Sequence, residues 1–311
     1  MSATPEAWSV LRLLQWTTNY LNESGSSSPR LEAEILLAYA LQCSRVDLYT
    51  RFDFEPTQET RDVFKGLIRK RAEGCPVAYL VGKKEFYSLD FFVDESVLIP
   101  RPETEFLIME LFDCAKEFSE GMNAPIHICD VGTGSGILAI VSAIHLKNAH
   151  VVALDISPTA LATAKKNADL HKNKIQSRVE FHQSDRFSAL KDEKYDAFFD
   201  FIVSNPPYVG KNEIESALES SVYRYEPHVA LFGGEKGTEW IAEFLPQVPR
   251  FLKPGGMLLM EVSPMIHEEV VTIIRQTPDL VYEKTIRDLD RQERIIRAKK
   301  TDFTKGTSCL N

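Results

Sequence analysis

Residues 126–140 read Ile-His-Ile-Cys-Asp-Val-Gly-Thr-Gly-Ser-Gly-Ile-Leu-Ala-Ile. An apolar strand runs straight into Gly132, Gly134 and Gly136, and an apolar run follows. Strand, glycine turn and helix in that order open a βαβ unit. Glycines without side chains let the backbone turn sharply and let a ligand approach it. The helix N-terminus behind them favours negative charge. The spacing is G-x-G-x-G, and Ile137 stands where the dinucleotide fingerprint needs a glycine. The loop therefore disfavours NAD and suits a carboxylate better than a pyrophosphate.

Working outward, strands are expected at 126–131, 150–156, 178–182, 201–204 and 257–262, with helices near 136–147, 158–171 and 236–252. Two further extended pieces lie around Tyr282 and Ile295. The alternation predicts an α/β fold with a mainly parallel, doubly wound sheet that binds ligands at the strand C-terminal ends. Residues 1–78 read as a separate helical domain. Trp8, Leu11, Leu14, Thr18 and Leu21 recur at helical spacing. Ser28-Pro29 reads as an N-cap and first-turn proline, Ser44 to Asp47 as a capping box, and Gly74 as the stop of a helix over 57–73. Residues 79–100 are rich in aromatic and β-branched types and read as a β-hairpin linker with turns at Gly82 and Asp94. Residues 101–311 form the third segment.

The 311-residue chain is 44% hydrophobic and carries a net charge of −9. That acidity argues against sequence-blind nucleic-acid binding, which needs basic surface. Cys43, Cys75, Cys114, Cys129 and Cys309 are scattered and odd in number, so neither a disulfide framework nor a zinc site is expected. No secretory signal or membrane-spanning run is legible. A cytoplasmic protein with reduced thiols is the expectation.

Asp155 ends the second strand, where an acidic side chain accepts hydrogen bonds from ribose hydroxyls. Its competing role is to cap the helix at Ser157-Pro158. A loop after the third strand, Gln183 to Phe187, offers Asp185 and Arg186 as neighbours for an adenine. A ligand with a carboxylate, a ribose and an adenine points to S-adenosylmethionine.

The fourth strand breaks at Asn205-Pro206-Pro207-Tyr208. Residues before proline are held extended, and neither proline has an N–H to donate. The result is a stiff ledge that offers the Asn205 side-chain oxygen and a backbone carbonyl as adjacent acceptors. Together they suit the two hydrogens of a planar NH₂ group, with Tyr208 covering its flat face. A strand-ending turn is the plainer alternative.

The stretches from Val77 to Glu105, "DVGTGSG", "NPPY" and "EPHVALFGGEKG" together resemble the HemK/PrmC family across nearly the whole chain. Those enzymes methylate the glutamine side-chain amide of the Gly-Gly-Gln motif in class-I peptide-chain release factors, which tunes translation termination. The resemblance implies a Rossmann-like class I methyltransferase domain with a seven-stranded sheet. It gives S-adenosylmethionine to Gly132, Thr133, Gly134, Ser135, Gly136 and Asp155, with Asn205 nearby, and the glutamine to Asn205, Pro206, Pro207 and Tyr208. Asn205, Pro206 and Tyr208 are the implied catalytic set, and the helical domain would grip the release factor. Glu226-Pro227 and Gly233-Gly234 match a family loop without assigned individual roles. Departures are Arg186, where the family often has an aromatic, Ser263 and His267 after Glu261, and Arg291 in place of a glycine; Arg294 fits. No metal, membrane or nucleic-acid partner is implied, and a monomer is the default.

Other motifs weigh less. The seven histidines lack metal-ligand spacing. Ser135 does not sit in G-x-S-x-G. The basic run at 294–300 reads as a solvated strand. An adenine-N6 methyltransferase acting on DNA or RNA is the rival enzyme, because the ledge suits any planar NH₂, but it would have to extract a base and grip phosphates. A non-catalytic S-adenosylmethionine-binding adaptor of the translation machinery is the rival of another class, and the intact ledge counts against it.

Overall fold

Local capping chemistry starts the first helices of the chain, whose computed structural model describes residues 7–119, 124–211 and 220–302. Ser9 caps α1 (Val10–Glu23) by accepting from the Arg12 N–H. Proline leads α2 (Pro29–Ala40), but the Ser28 side chain makes no cap bond. Ser26 instead braces the turn before the helix, accepting the Ser28 N–H and donating to Glu32. A reciprocal capping box of Ser44 and Asp47 opens α3 (Arg45–Tyr49). Helices α4 (Gln58–Ala72) and α5 (Val77–Val81) end near Gly74 and Gly82, both at positive φ. These helices and Ser220–Tyr225 form one of two compact units. Its core is Leu14, Leu21, Leu36, Leu37, Phe64 and Ile68.

Residues 77–81 are helical, so the hairpin starts later than the sequence suggests. Strands β1 (Lys83–Phe86) and β2 (Leu89–Phe92) turn at Tyr87-Ser88, not at Gly82. Both turn residues adopt positive φ without a glycine. Tertiary contacts hold them there: the Tyr87 ring meets Phe112 and His145, and its N–H donates to Glu105.

The second unit is built on a seven-stranded sheet. Its strands are β3 (Ile126–Val131), β4 (Ala149–Asp155), β5 (Arg178–Gln183), β6 (Phe199–Ser204), β9 (Leu252–Glu261), β10 (Leu280–Arg287) and β11 (Glu293–Lys300). The two short strands β7 (Val209–Gly210) and β8 (Phe232–Gly234) pair separately. The large sheet has the order β10-β11-β9-β6-β3-β4-β5. All pairs from β9 to β5 are parallel, and β11 is antiparallel to both its neighbours. This is the Rossmann-like class I methyltransferase sheet. The central strands β3, β4, β6 and β9 are largely apolar and buried because both faces are covered, whereas the edge strands β5 and β10 are more polar and exposed. Cys129, Val131 and Ile202 enter one core cluster, while Ile128, Val151 and Phe201 enter the other.

Helices α7 (Ile137–His145) and α8 (Pro158–His171) follow β3 and β4 as expected. Two others went unread: α6 (Thr104–Ser119) and the helix His267–Gln276. The single helix expected over 236–252 is instead three short pieces, because Pro246 and Pro249 cannot donate to a continuous ladder. Arg291, a non-glycine residue, takes φ +62°. Among the described residues no helix is long and apolar enough to cross a membrane. Cys309 lies outside the described residues.

Candidate active site

Strand order reverses beside β3: the chain passes to β4 on one side and β6 on the other. The crevice at such a switch point, beyond the strand C-termini, is where doubly wound sheets bind ligands. Here it is a cavity of about 620 Å³, within the roughly 300–1,000 Å³ of small-molecule sites.

The glycine loop forms one wall. The Gly132 and Thr133 N–H groups both donate to the Leu154 carbonyl, at 2.8 and 2.9 Å, which bends the chain over the end of β4. Gly132, Gly134 and Gly136 all have positive φ. Their further roles differ. A Cβ at Gly136 would sit 3.1 Å from Ala164 Cβ, so this glycine lets α7 pack on α8. A Cβ at Gly134 would meet nothing within 4 Å, so the backbone here is open to a ligand. Beneath the loop lies Asp130, fully buried. One of its oxygens accepts from Thr133 Oγ1 at 2.6 Å and from the Ala139 N–H, and the other has no partner. Burial pushes its pKa up to about 7.

Asp155 does two jobs. Its Oδ1 accepts from the Ser157 N–H at 2.9 Å, as a cap would, and its Oδ2 accepts from the Gly134 N–H at 2.8 Å. Burial raises its pKa against those bonds. The carboxylate still lines the cavity, with Thr133, Ser135, Asp185 and Arg186. Arg186 lies over the Trp240 ring and pairs with Asp185 and Glu243. A pinned guanidinium and an indole thus form this part of the wall.

The ledge forms the facing wall. Ser204 Oγ donates to the Val131 carbonyl at 2.7 Å, tying the end of β6 to the end of β3. The Asn205 carbonyl lies 3.9 Å from where a Gly132 Cβ would be, which places the ledge beside the glycine loop. Asn205 and Pro207 line the cavity. Gly136, Pro206 and Tyr208 are not on its wall: Pro206 is buried, and the Tyr208 hydroxyl donates to Glu261 at 3.4 Å.

Three side chains and one glycine that support these walls had no individual role in the sequence. Asn167, fully buried, accepts from the Phe92 N–H and donates to the Phe92 and Ser135 carbonyls, locking β2 to the glycine loop. Glu226 accepts from the Ile99 N–H at 3.1 Å and from Arg101 at 2.6 Å, holding the segment that walls the cavity. Thr104 accepts from Asn205 Nδ2 at 3.2 Å and donates to Glu261 at 2.7 Å. Gly233 has a steric reason: a Cβ there would fall 2.6 Å from the Pro207 carbonyl oxygen.

A profile of the PrmC N-terminal domain matches residues 12–82, and one of a methyltransferase domain matches residues 123–301. The chain is 45% identical to a release factor glutamine methyltransferase of Rhodopirellula baltica, over 94% of this chain and 97% of the relative. It is 40% identical to one of Koribacter versatilis, over 90% and 95%. It is 38% identical to one of Geobacter sulfurreducens, over 89% and 92%.

Proposed function

The chain belongs to the release factor glutamine methyltransferase family, and we propose that it methylates the glutamine side-chain amide of the Gly-Gly-Gln motif in class-I release factors, as a cytoplasmic monomer. The observation that carries this reading is one cavity that joins an open glycine loop and a ribose-type carboxylate, Asp155, to the Asn205 ledge.

S-adenosylmethionine supplies the electrophilic methyl group when bound. The loop at Gly134 has room for it, and Asp155 keeps lone pairs for the ribose hydroxyls. An amide nitrogen is a poor nucleophile, because its lone pair is delocalised into the carbonyl. The chain's own task is therefore positioning. Asn205 Oδ1 and a backbone carbonyl of the ledge accept both N–H bonds of the glutamine and aim its nitrogen. Such positioning is worth an effective molarity of about 10⁵–10⁸ M. As the nitrogen gains positive charge its N–H bonds become stronger donors, so both acceptors stabilise the transition state more than the ground state. The surplus proton leaves to solvent after transfer.

The direct test supplies labelled S-adenosylmethionine with a recombinant release factor, its Gly-Gly-Ala variant, or duplex DNA. Label is expected in the intact release factor alone. Label in DNA but not in the factor would overturn the reading.

Recognition of the rest of the release factor belongs, on this reading, to the helical unit. A groove of about 440 Å³ between α1 and α4 exposes Trp16, stacked on Tyr20 at 5.1 Å. Arg61, Lys65 and Arg69 edge it beside a single acid, Asp62, a net basic rim on an acidic chain that suits an acidic segment. Trp16→Ala is expected to raise KM for the whole release factor about tenfold, the effect of one interface anchor. KM for a short glutamine peptide should not change, and equal effects on both would remove the groove from the binding site.

A further inference from the structure

We propose that Glu261, through Thr104, sets the polarity of the Asn205 amide, and that only its ionised form leaves the Asn205 oxygen facing the substrate. The inference rests on the proposed function and assigns positioning roles to Glu261 and Thr104, which act on the glutamine through Asn205.

Glu261 ends β9 and is 1% exposed, and Thr104 opens α6 and is fully buried. The Glu261 oxygens take two hydroxyls, Thr104 Oγ1 at 2.7 Å on one and Tyr208 at 3.4 Å on the other. An ionised carboxylate can only accept, and threonine has a single O–H to give. Once Thr104 donates to Glu261, only its lone pairs face Asn205. The Asn205 amide must then turn its NH₂ to Thr104, which is the 3.2 Å bond observed. Its Oδ1 is left for the cavity. An amide that is ambiguous by shape alone is thus oriented by a directional chain of hydrogen bonds.

Protonation removes the direction. A neutral Glu261 can donate to Thr104, whose own hydrogen is then free to turn toward Asn205. The reversed amide would face the glutamine NH₂ with an NH₂ of its own, donor against donor. Burial pushes the Glu261 pKa up to about 7. The hydroxyl of Thr104 and the positive charge of Arg294 on β11 work against that rise, Glu103 before α6 adds to it, and the bond from Tyr208 lowers it. The switch therefore falls in the physiological range, with the competent form favoured above about pH 7.

Folding raises this pKa, so the fold favours the protonated form. The associated stability is present in acid and is lost as pH rises through about 7. Removing the charge should therefore not lower Tm at pH 8. The experiment measures kcat on a whole release factor from about pH 6 to about pH 8, with cofactor affinity alongside. Wild-type kcat should rise through about pH 7. In Glu261→Gln the neutral amide can donate to Thr104 as the protonated acid does, so kcat at pH 8 should fall to about the wild-type value at low pH and the acid limb should disappear. In Glu261→Met the Thr104 hydroxyl has only Asn205 to serve, and kcat should fall about thirtyfold at every pH. That is less than the roughly 10²–10³ of a lost direct contact. Cofactor Kd should stay within about threefold in both variants. An acid limb unchanged in Glu261→Gln, or a Glu261→Met kcat within about threefold of wild type, would overturn the proposal. A wild-type chain that fails to label the release factor would sink the proposed function instead.

Discussion

Asn205→Ala is expected to lower kcat on a release factor by about 10³-fold while cofactor Kd stays within a few-fold. The figure is the upper end of what one transition-state hydrogen-bond partner is worth, roughly 10²–10³, or about 4 kcal/mol of barrier. The upper end applies because the amide nitrogen has little nucleophilicity of its own, so loss of aim and loss of charge stabilisation fall together. The rest of the wall should survive. Ser204 still ties β6 to the Val131 carbonyl, and the prolines still hold the backbone extended. Thr104 loses a donor but keeps its bond to Glu261. Single-turnover kinetics with cofactor titration separates the possibilities. A kcat within tenfold of wild type would remove Asn205 from the chemistry, and a Kd raised a hundredfold would assign it mainly to the cofactor.

What the sequence disclosed about this site divides by distance along the chain. The glycine loop, the tip of β4 and the Asn-Pro-Pro-Tyr break are each local patterns, legible from spacing alone. The supports of those walls are not. Asn205 meets Thr104 across 101 residues, Thr104 meets Glu261 across 157, Glu226 meets Ile99 across 127 and Asn167 meets Phe92 across 75. No periodicity links such pairs, and each residue alone reads as an ordinary polar position. The missed α6 is a different case. Leu107, Ile108, Leu111, Cys114 and Ala115 are all buried at helical spacing, so its pattern was present. No element was expected between the end of the linker at residue 100 and the strand that starts at 126, and the proline-rich Pro100 to Glu103 masks the start of this helix. In the hairpin, the glycine rule pointed to Gly82, and aromatic packing around Tyr87 overrode it.

The sharpest steric consequence of the fold is at Gly233, where alanine should cost at least about 10²-fold in kcat. A Cβ there would lie 2.3 Å from the Gly237 carbonyl oxygen and 2.6 Å from that of Pro207. Side-chain carbons essentially never approach closer than 3.0 Å, so something must move. Neither oxygen belongs to a flexible tip. Gly237, at φ +89°, is itself pressed on the ledge, since a Cβ there would be 2.4 Å from the Tyr208 carbonyl oxygen. Relief by either route therefore pushes Pro207 or Tyr208, while Asn205 stays tethered to Thr104 and Ser204 to β3. A displacement approaching 1 Å at a reacting group can cost about 10² in rate. Overpacking should also lower stability by about 1–3 kcal/mol. Cofactor affinity should change less than kcat, because the glycine loop lies on the other wall. Gly66→Ala is the contrasting case: in the middle of α4, with nothing within 4 Å of an added Cβ, it should stabilise by about 0.5–1 kcal/mol. A Gly233→Ala chain that melts like wild type and keeps its kcat would mean the ledge does not rest on Gly233 and Gly237.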